Sequence, residues 1–264
     1  MPPPTTSPIH HSLPLTLIVA TTPIRVASAH AHDETRLGIG LNGTLPWPRI
    51  KTDMSFFARV TSHPPQKGTT NAIIMGRKTY DSVPKSLRPL GKRISVVISR
   101  DTTGSVSEGV RKELEAKKAK MAAKAAEEGK EKVEEPGQDT DAIVMPSLDA
   151  ALKELEGMEG LGKIFVIGGA EIYGAALRDA SDGLKLHGRP VRVVMTNVIR
   201  KPEGGEEVPF ECDTFWPLDS MDNVSGWRSV GSEELSEWVG EEVTWEWKRE
   251  GECEVQMVGF ERLG

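Results

Sequence analysis

The stretch Ile164-Phe165-Val166-Ile167-Gly168-Gly169 decides the fold, because a short apolar run ends at two glycines and passes directly into a helical pattern at residues 170–178. Such a run is typical of a strand that is buried on both faces of a parallel sheet. A strand followed at once by a helix is the repeating unit of α/β proteins. The segment therefore predicts a strand, a tight glycine turn and a helix that packs against the sheet.

Other short apolar runs have the same character and extend this pattern along the chain. They lie at residues 15–20, 72–75, 94–98, 142–145 and 191–196. Helical patterns lie between several of them, at residues 53–61 and at residues 148–155, where Ser147 is placed as N-cap. The alternation predicts an α/β fold with a mostly parallel central sheet and helices on both faces.

The end of the chain has a different pattern, which favours antiparallel strands. Residues 244–248 alternate between large apolar and polar side chains, Glu250-Gly251 offers a turn, and residues 254–258 form a second strand-like run. Two such runs joined by a short turn predict a β-hairpin. We expect this C-terminal hairpin to form an antiparallel edge of the otherwise parallel sheet.

The composition is that of an ordinary globular protein and excludes several functional classes. The 264 residues include 33 basic and 39 acidic residues, so the net charge is −6, which argues against nucleic acid as the main partner. Cys212 and Cys253 are too few for a structural zinc site, and six histidines form no evident ligand set, so no metal is expected. The rare cysteines and the absence of a bilayer-length apolar run favour a cytoplasmic protein without a membrane partner.

Two segments are expected to lie outside the folded core. Residues 1–14 predict a disordered leader, which leaves residues 15–264 as a single domain. Within that domain, residues 111–135 consist mostly of charged residues and alanine, and they predict a solvated helix or a disordered insertion at about 104–140. A tolerated surface insertion is the favoured interpretation, and an arm that binds a partner protein is the alternative.

Phosphate-binding residue types follow three of the strands. The runs at residues 72–75 and 94–98 lead into Gly76-Arg77-Lys78-Thr79 and Ser99-Arg100, and the run at 164–167 leads into Gly168-Gly169. Ligands of open α/β sheets bind beyond the carboxyl ends of the strands. Glycines, hydroxyls and arginines hold phosphates there. The three ends together predict a phosphorylated cofactor such as NADPH, with Ser99 and Arg100 suited to a 2′-phosphate.

Two charged residues are candidates for binding a substrate. Asp53 and Phe57 are spaced i,i+4 and share a helix face, and a carboxylate on an apolar face is costly unless it has a partner. The alternative is an acidic residue that is simply favoured by the N-terminal dipole of a helix. Arg93, at the start of a strand, is either a surface arginine or a bidentate clamp for a carboxylate.

The glycines of residues 38–43 match the GxGxxG pattern in letters only. Pro46 and Pro48 follow and forbid the helix that a dinucleotide-binding motif requires. We expect a mobile glycine-rich loop beside the pocket instead.

Taken in chain order, a series of segments resembles the dihydrofolate reductase family. The segments are Ile18-Val19-Ala20, residues 38–47, 53–57, 75–79 and 93–100, Ile167-Gly168-Gly169 with Tyr173, then Thr196, and residues 213–217. The resemblance covers the chain from about Leu15 to its end, apart from insertions. It implies NADPH-dependent reduction of 7,8-dihydrofolate to 5,6,7,8-tetrahydrofolate, with hydride transfer to pterin C6 and protonation of N5. It also implies a monomer of one-carbon metabolism that binds antifolate inhibitors.

The resemblance further implies a role for particular residues. Asp53 would bind the pterin and favour its protonation through a water molecule, Thr196 would hydrogen-bond Asp53, and Trp47 and Leu45 complete the catalytic set. The other expected substrate contacts are Ile18, Val19, Met54, Phe57, Val83, Leu90, Arg93 on a glutamate carboxylate, and Ile167. The expected cofactor contacts are Ala20, Gly38, Ile39, Gly40, Asn42, Gly43, Thr44, Gly76, Arg77, Lys78, Thr79, Ser99, Arg100, Asp101, Ile167, Gly168, Gly169, Ala170, Glu171, Ile172 and Tyr173. A cis peptide bond is expected between Gly168 and Gly169.

The link at residues 21–37 is longer than the family's usual one. This link and the charged insertion after Arg100 both favour a eukaryotic, fungal-type member. Two other functions remain open at this point. One is an NADPH-dependent reductase of a pyrimidine-type substrate of the riboflavin pathway. The other is a non-catalytic NADPH-binding protein that uses the charged insertion as a partner arm.

Overall fold

A computed structural model describes residues 13–26, 34–127, 139–181, 189–218, 221 and 225–263. Most of the expected leader, residues 1–12, and residues 128–138 of the expected insertion lie outside the described residues. No helix in the described ranges is long and apolar enough to cross a membrane.

Eleven strands and six helices are described. The strands are β1 (Leu15–Val26), β2 (Glu34–Gly40), β3 (Thr70–Gly76), β4 (Ile94–Ile98), β5 (Asp141–Met145), β6 (Leu161–Val166), β7 (Val191–Arg200), β8 (Thr214–Phe215), β9 (Trp227–Val230), β10 (Lys248–Glu250) and β11 (Cys253–Arg262). The helices are α1 (Lys51–Ser62), α2 (Arg77–Ser82), α3 (Ser105–Glu127), α4 (Leu148–Glu156), α5 (Ala170–Ser181) and α6 (Ser232–Val239).

The central sheet has the order β10-β11-β7-β1-β6-β3-β4-β5. All neighbours from β7 to β5 are parallel, and β11 pairs antiparallel with β7, β9 and β10. The predicted α/β class, with a mostly parallel sheet and antiparallel C-terminal strands, is confirmed. Because parallel strands need crossover connections, the helices must cover the sheet.

The helices lie on both faces of the sheet, as the alternation of strands and helices predicts. In β1 and β3, Leu17 and Ile74 pack on one face with α4 and α5, and Ile18 and Ile73 pack on the other with α1 and α6. Successive side chains of a strand point to opposite faces, so a strand covered on both sides needs apolar residues at every position. The continuous apolar runs of the sequence have this cause.

The C-terminal hairpin is shorter than the sequence predicts. Strand β10 begins at Lys248, and residues 244–247 lie outside any strand. Trp245 and Trp247 are 48% and 43% exposed, so their alternation does not mark a buried face. The Gln256 side chain of β11 donates to the Trp245 carbonyl oxygen at 2.7 Å, beyond the last ladder pair of Lys248 and Val255.

The link at residues 21–37 and the glycine-rich segment also differ from expectation. Strand β1 continues to Val26 and pairs antiparallel with β2, which contains Gly38 and Gly40. The expected loop therefore begins only after Gly40, where Leu41 and Thr44 exchange two backbone hydrogen bonds of 2.9 and 3.0 Å in a tight turn. The strand was missed because only Leu37 and Ile39 are apolar, and the glycines between and after them favour a loop.

The described part of the charged insertion is the helix α3. Val110 and Leu114 are buried, while most of its other side chains are exposed. Asp101, four residues before the helix, stabilises its first turn, since its Oδ2 accepts the Val106 N–H at 2.9 Å. Further on, the Tyr80 hydroxyl donates to Glu113 Oε2 at 2.7 Å. These contacts dock α3 beside β5 and α2.

Candidate active site

A deep cleft lies at the carboxyl ends of the parallel strands. Its volume is about 1430 Å³, and it is bordered by the middle of β1, by the ends of β3, β4 and β6, and by the starts of α1 and α5. Pockets for one drug-sized ligand have volumes of about 300–1,000 Å³. The cleft therefore has room for two ligands side by side, at the edge where open α/β sheets bind them.

Asp53 lies in the first turn of α1 and is only 5% exposed. Its carboxylate is hydrogen-bonded to the Thr196 side chain, and Thr196 is paired with Ala20 across the β7–β1 ladder. Burial raises the pKa of Asp53 above its ordinary value, and the Thr196 hydrogen bond opposes this shift in part. The cleft thus contains a buried acid that takes up a proton more readily than an exposed one.

The start of α1 is fixed by a residue from the far end of the sequence. Ile50, at the N-cap position, offers no side-chain acceptor. Instead the Glu250 carboxylate of β10 accepts the Lys51 and Thr52 backbone N–H groups at 2.7 and 2.9 Å. Since a helix start has unsatisfied N–H donors, this contact holds the turn that carries Asp53.

Arg93 also lines the cleft and is buried, with 7% of its surface exposed. Its Nε donates to the Gly91 carbonyl oxygen at 2.8 Å, and its NH1 donates to Thr61 Oγ1. Burial lowers the pKa of Arg93 to about 10. In the described part of the chain no carboxylate lies within ion-pair distance of it, so its charge is available to an anionic ligand.

Gly168 and Gly169 bring bare backbone to the middle of the cleft, and the peptide bond between them is cis. Gly168 has φ +112°, and a Cβ there would lie 3.2 Å from the ring of Tyr173. A Cβ at Gly169 would lie 3.4 Å from Thr79 Oγ1. The Tyr173 hydroxyl donates to the Ile18 carbonyl oxygen at 2.6 Å, which ties this turn to β1. A side chain at either position would press against these protein atoms, so the close packing of the turn favours glycine.

Basic and hydroxyl groups lie at the other end of the cleft. Arg77, Lys78 and Thr79 begin α2, and Ser99 follows β4. Arg77 and Lys78 are exposed and form no ion pair within the described residues, whereas Arg100 pairs with Glu171 at 3.0 Å. Cations and hydroxyls at strand ends and helix starts suit the phosphates of a dinucleotide.

The cleft collects almost all of the residues expected from the sequence. The three that do not line it are Gly38, Asn42 and Trp47. A Cβ at Gly38 would overlap Cys212 Sγ, and the Asn42 backbone N–H donates to Asp213 Oδ2 at 2.7 Å. Trp47 is 5% exposed and packs edge-on against Phe210, and its buried Nε1 has no hydrogen-bond partner within the described residues.

Comparison with known proteins gives the same family as the motifs. A family model for dihydrofolate reductase matches residues 25–134. The dihydrofolate reductase of Heliothis virescens is 33% identical over 181 residues, which cover 69% of this chain and 73% of the relative. That of Pneumocystis carinii is 32% identical over 240 residues, 87% of each chain, and that of Rattus norvegicus is 30% identical over 184 residues, 69% of this chain and 73% of the relative.

The chain is a member of the dihydrofolate reductase family. These three relatives come from eukaryotes, which agrees with the eukaryotic membership predicted from the long link and the insertion.

Some cleft residues of this dihydrofolate reductase family member were missed by sequence reasoning. They include Arg49, Ser105, Val106, Pro146, Ser147 and Arg178. Pro146 and Ser147 follow β5 directly, so the strand-end rule that found Ser99 would also have found them. Ser105 and Val106 begin α3 in the insertion, and no motif marks them as wall residues.

Proposed function

We propose that this chain catalyses the NADPH-dependent reduction of 7,8-dihydrofolate to 5,6,7,8-tetrahydrofolate. The main support for this proposal is that a buried carboxylate, Asp53, and a buried guanidinium, Arg93, line the same cleft. A ligand that offers N–H donors at one end and a carboxylate at the other would satisfy both charges. Dihydrofolate has this polarity, with its pterin at one end and its glutamate at the other.

The second half of the cleft fits NADPH. Gly168 and Gly169 line the cleft without side chains, which would leave room for a flat ring, and Arg77, Lys78, Thr79 and Ser99 would hold the phosphates. Arg100 would reach the 2′-phosphate by giving up its exposed pair with Glu171, a contact of little worth in solvent. When bound, NADPH supplies the hydride that reduces pterin C6.

Asp53 would orient the pterin and govern its protonation. The carboxylate would accept hydrogen bonds from the pterin N3 and 2-amino group, while Thr196 holds its other side. Because burial raises the pKa of Asp53, the acid holds a proton at higher pH than an exposed carboxyl and favours protonation of N5 through a water molecule. Trp47 does not line the cleft, and its proposed role is to hold that water through the buried Nε1, which has no partner among the described residues.

Apolar side chains would enclose the rings between these two charges. Ile18, Val19, Met54, Phe57, Val83, Leu90 and Ile167 all line the cleft. Leu45 also lines it and is 42% exposed, so it would act at the mouth rather than in the interior. Water excluded by these side chains would strengthen the polar contacts at Asp53 and Arg93.

The same proposal includes a single domain over residues 15–264, a monomer and a cytoplasmic location. One continuous sheet through the described residues supports a single domain. Cys212 and Cys253 are both free thiols, which fits a reducing compartment. Light scattering of the purified protein tests the monomer, and a tagged chain in cells tests the location.

The decisive assay follows NADPH absorbance with and without dihydrofolate, with NADH in parallel. Oxidation of NADPH that requires dihydrofolate is the expected result. Absence of turnover at every pH would refute the proposal. Neither the pyrimidine-type substrate nor the non-catalytic NADPH carrier has a specific observation in its favour.

A further inference from the structure

A lysine of the insertion helix α3 contacts a residue of the cleft wall and lies near Arg93. Lys117 Nζ donates to the Leu87 carbonyl oxygen at 2.8 Å, and Leu87 lines the cleft. The Lys117 Cε lies 3.8 Å from the position that a Cβ on Gly91 would occupy. Arg93 Nε donates to the carbonyl oxygen of the same Gly91 at 2.8 Å. The segment from Leu87 to Gly91 therefore joins the two cations at one end of the cleft.

The proximity of these cations has an electrostatic cost that the described residues do not offset. Burial lowers the pKa of the Lys117 ammonium, and repulsion from Arg93 and Lys120 lowers it further. Within the described residues, neither Lys117 nor Arg93 forms an ion pair with a carboxylate, although other lysines of α3 do, such as Lys118 with Asp141 at 3.5 Å. Like charges held together without a counter-charge suit an anionic ligand.

The position of α3 is fixed by contacts other than that of Lys117. Glu113, one turn earlier on the same side of the helix, accepts the Tyr80 hydroxyl and lies 3.8 Å from Arg88 NH1. Val110 and Leu114 are buried beneath it. The helix would thus stay docked if Lys117 were replaced. A substitution of Lys117 therefore tests its contact with a ligand and not the position of the helix.

We propose that Lys117 forms a second carboxylate-binding position, which takes a second tail carboxylate of a substrate whose first carboxylate is bound by Arg93. The inference rests on the proposed function, because it assumes a substrate with a glutamate tail. Dihydrofolate carries two carboxylates on that tail, so Arg93 alone leaves one without a counter-charge. Lys120, exposed one turn away, would meet further carboxylates of a longer anionic tail.

The test compares two substrates that differ in one tail carboxylate. Dihydrofolate carries both, and its γ-monoamide carries one. For Lys117→Ala we expect KM for dihydrofolate to rise about fivefold, as for the loss of one partly exposed charge pair, with kcat unchanged. KM for the monoamide should stay unchanged. Lys117→Arg, which keeps the charge, should restore the dihydrofolate KM, and Lys118→Ala is the matched control on the same helix.

Two results would overturn the proposal. An equal rise of KM for both substrates would mean that Lys117 acts only by holding the Leu87 segment, and no rise at all would mean that it contacts no ligand. Calorimetry measures the Kd of dihydrofolate and of its γ-monoamide for the same variants. It separates the same outcomes without relying on turnover. If the wild-type protein did not turn over dihydrofolate, the proposed function would be wrong. If Lys117→Ala changed KM equally for both substrates, only the inference about Lys117 would be wrong.

Discussion

Glu250 and Thr52 are joined by two hydrogen bonds across 198 residues of sequence. Glu250 Oε2 accepts the Thr52 backbone N–H at 2.9 Å and the Thr52 hydroxyl at 2.8 Å. Thr52 directly precedes Asp53, so the C-terminal hairpin holds the turn on which the buried acid lies. A carboxylate at this place also interacts favourably with the positive end of the helix dipole.

Replacement of Glu250 by alanine should lower both stability and turnover. The first turn of α1 would lose its only side-chain cap among the described residues, and Asp53 would be held less firmly against Thr196. We expect the Tm to fall by a few degrees, as for a lost helix cap. We also expect kcat to fall more than KM rises, with a shift in the pH at which kcat falls as Asp53 loses its proton.

The control for this change is Glu252→Ala on the same hairpin, since Glu252 pairs only with exposed Arg200 in the described residues. A lowered Tm with an unaltered pH profile would mean that Glu250 is structural only. The hydrogen bonds lower the pKa of Glu250 below its ordinary value of about 4.5. Its contribution to stability should therefore be complete above that pH and be lost as the pH falls through the lowered value.

The parts of this fold that can be predicted from the sequence are those in which the residues of a single segment show that the segment is buried. The runs at residues 72–75 and 164–167 are apolar at every position because both faces of β3 and β6 are covered. Strand β2 gives no such signal, because its register depends on β1 and its side chains are partly exposed. The Glu250 cap is invisible for the same reason, since its partner is set by the sheet and not by neighbouring residues.

The candidate site divides along the same line. Asp53 could be found because a carboxylate on an apolar helix face needs a partner, and Ser99 could be found because it ends a strand. Lys117 could not, because one lysine in a long charged segment is no different from its neighbours until α3 is docked. The function of such a residue depends on tertiary contacts alone.

Asp53→Asn should separate stability from activity. The raised pKa means that the folded protein binds the Asp53 proton more tightly than the unfolded chain. This tighter proton binding contributes fully to stability below the ordinary pKa of an aspartate. The contribution is lost as the pH rises through the raised pKa of Asp53. At neutral pH the neutral amide should therefore raise the Tm, while kcat falls about a hundredfold or more through loss of the acid.

Thermal melts and steady-state kinetics over a range of pH check this pair of outcomes. In the wild type, kcat should fall as the pH rises through the raised pKa of Asp53, and that inflection should be absent from the variant. NADPH binding, measured by calorimetry, should remain nearly unchanged because the carboxylate is assigned to the substrate. An unaltered kcat would contradict the role given to Asp53.

Arg93→Gln should weaken substrate binding far more than it slows turnover. The guanidinium is buried without a carboxylate partner in the described residues, so its bond to a ligand carboxylate would be charge-assisted and shielded from water. We expect KM for dihydrofolate to rise about a hundredfold, equivalent to about 3 kcal/mol, with kcat within a fewfold of wild type.

The pH dependence of the wild type gives a second measurement of the same group. Since the pKa of Arg93 is about 10, KM should be constant below that pH and rise above it as the charge is lost. Arg93→Lys should bind better than Arg93→Gln but worse than the wild type, because an ammonium lacks the two-pronged geometry of arginine. A KM equal to that of the wild type in both variants would exclude a carboxylate contact.

Gly168→Ala should destabilise the protein through two separate effects, backbone strain and close contact with Tyr173. A non-glycine residue at φ +112° is strained, and the added Cβ would lie 3.2 Å from the Tyr173 ring, whose hydroxyl is held by the Ile18 carbonyl oxygen at 2.6 Å. Gly104→Ala isolates the first effect, because Gly104 has φ +79° and nothing lies within 4 Å of its Cβ position. We expect about 1 kcal/mol of lost unfolding free energy for Gly104→Ala and about 3 kcal/mol or more for Gly168→Ala. Urea unfolding measures both, and equal losses would mean that Tyr173 moves aside and that the turn does not depend on its close packing.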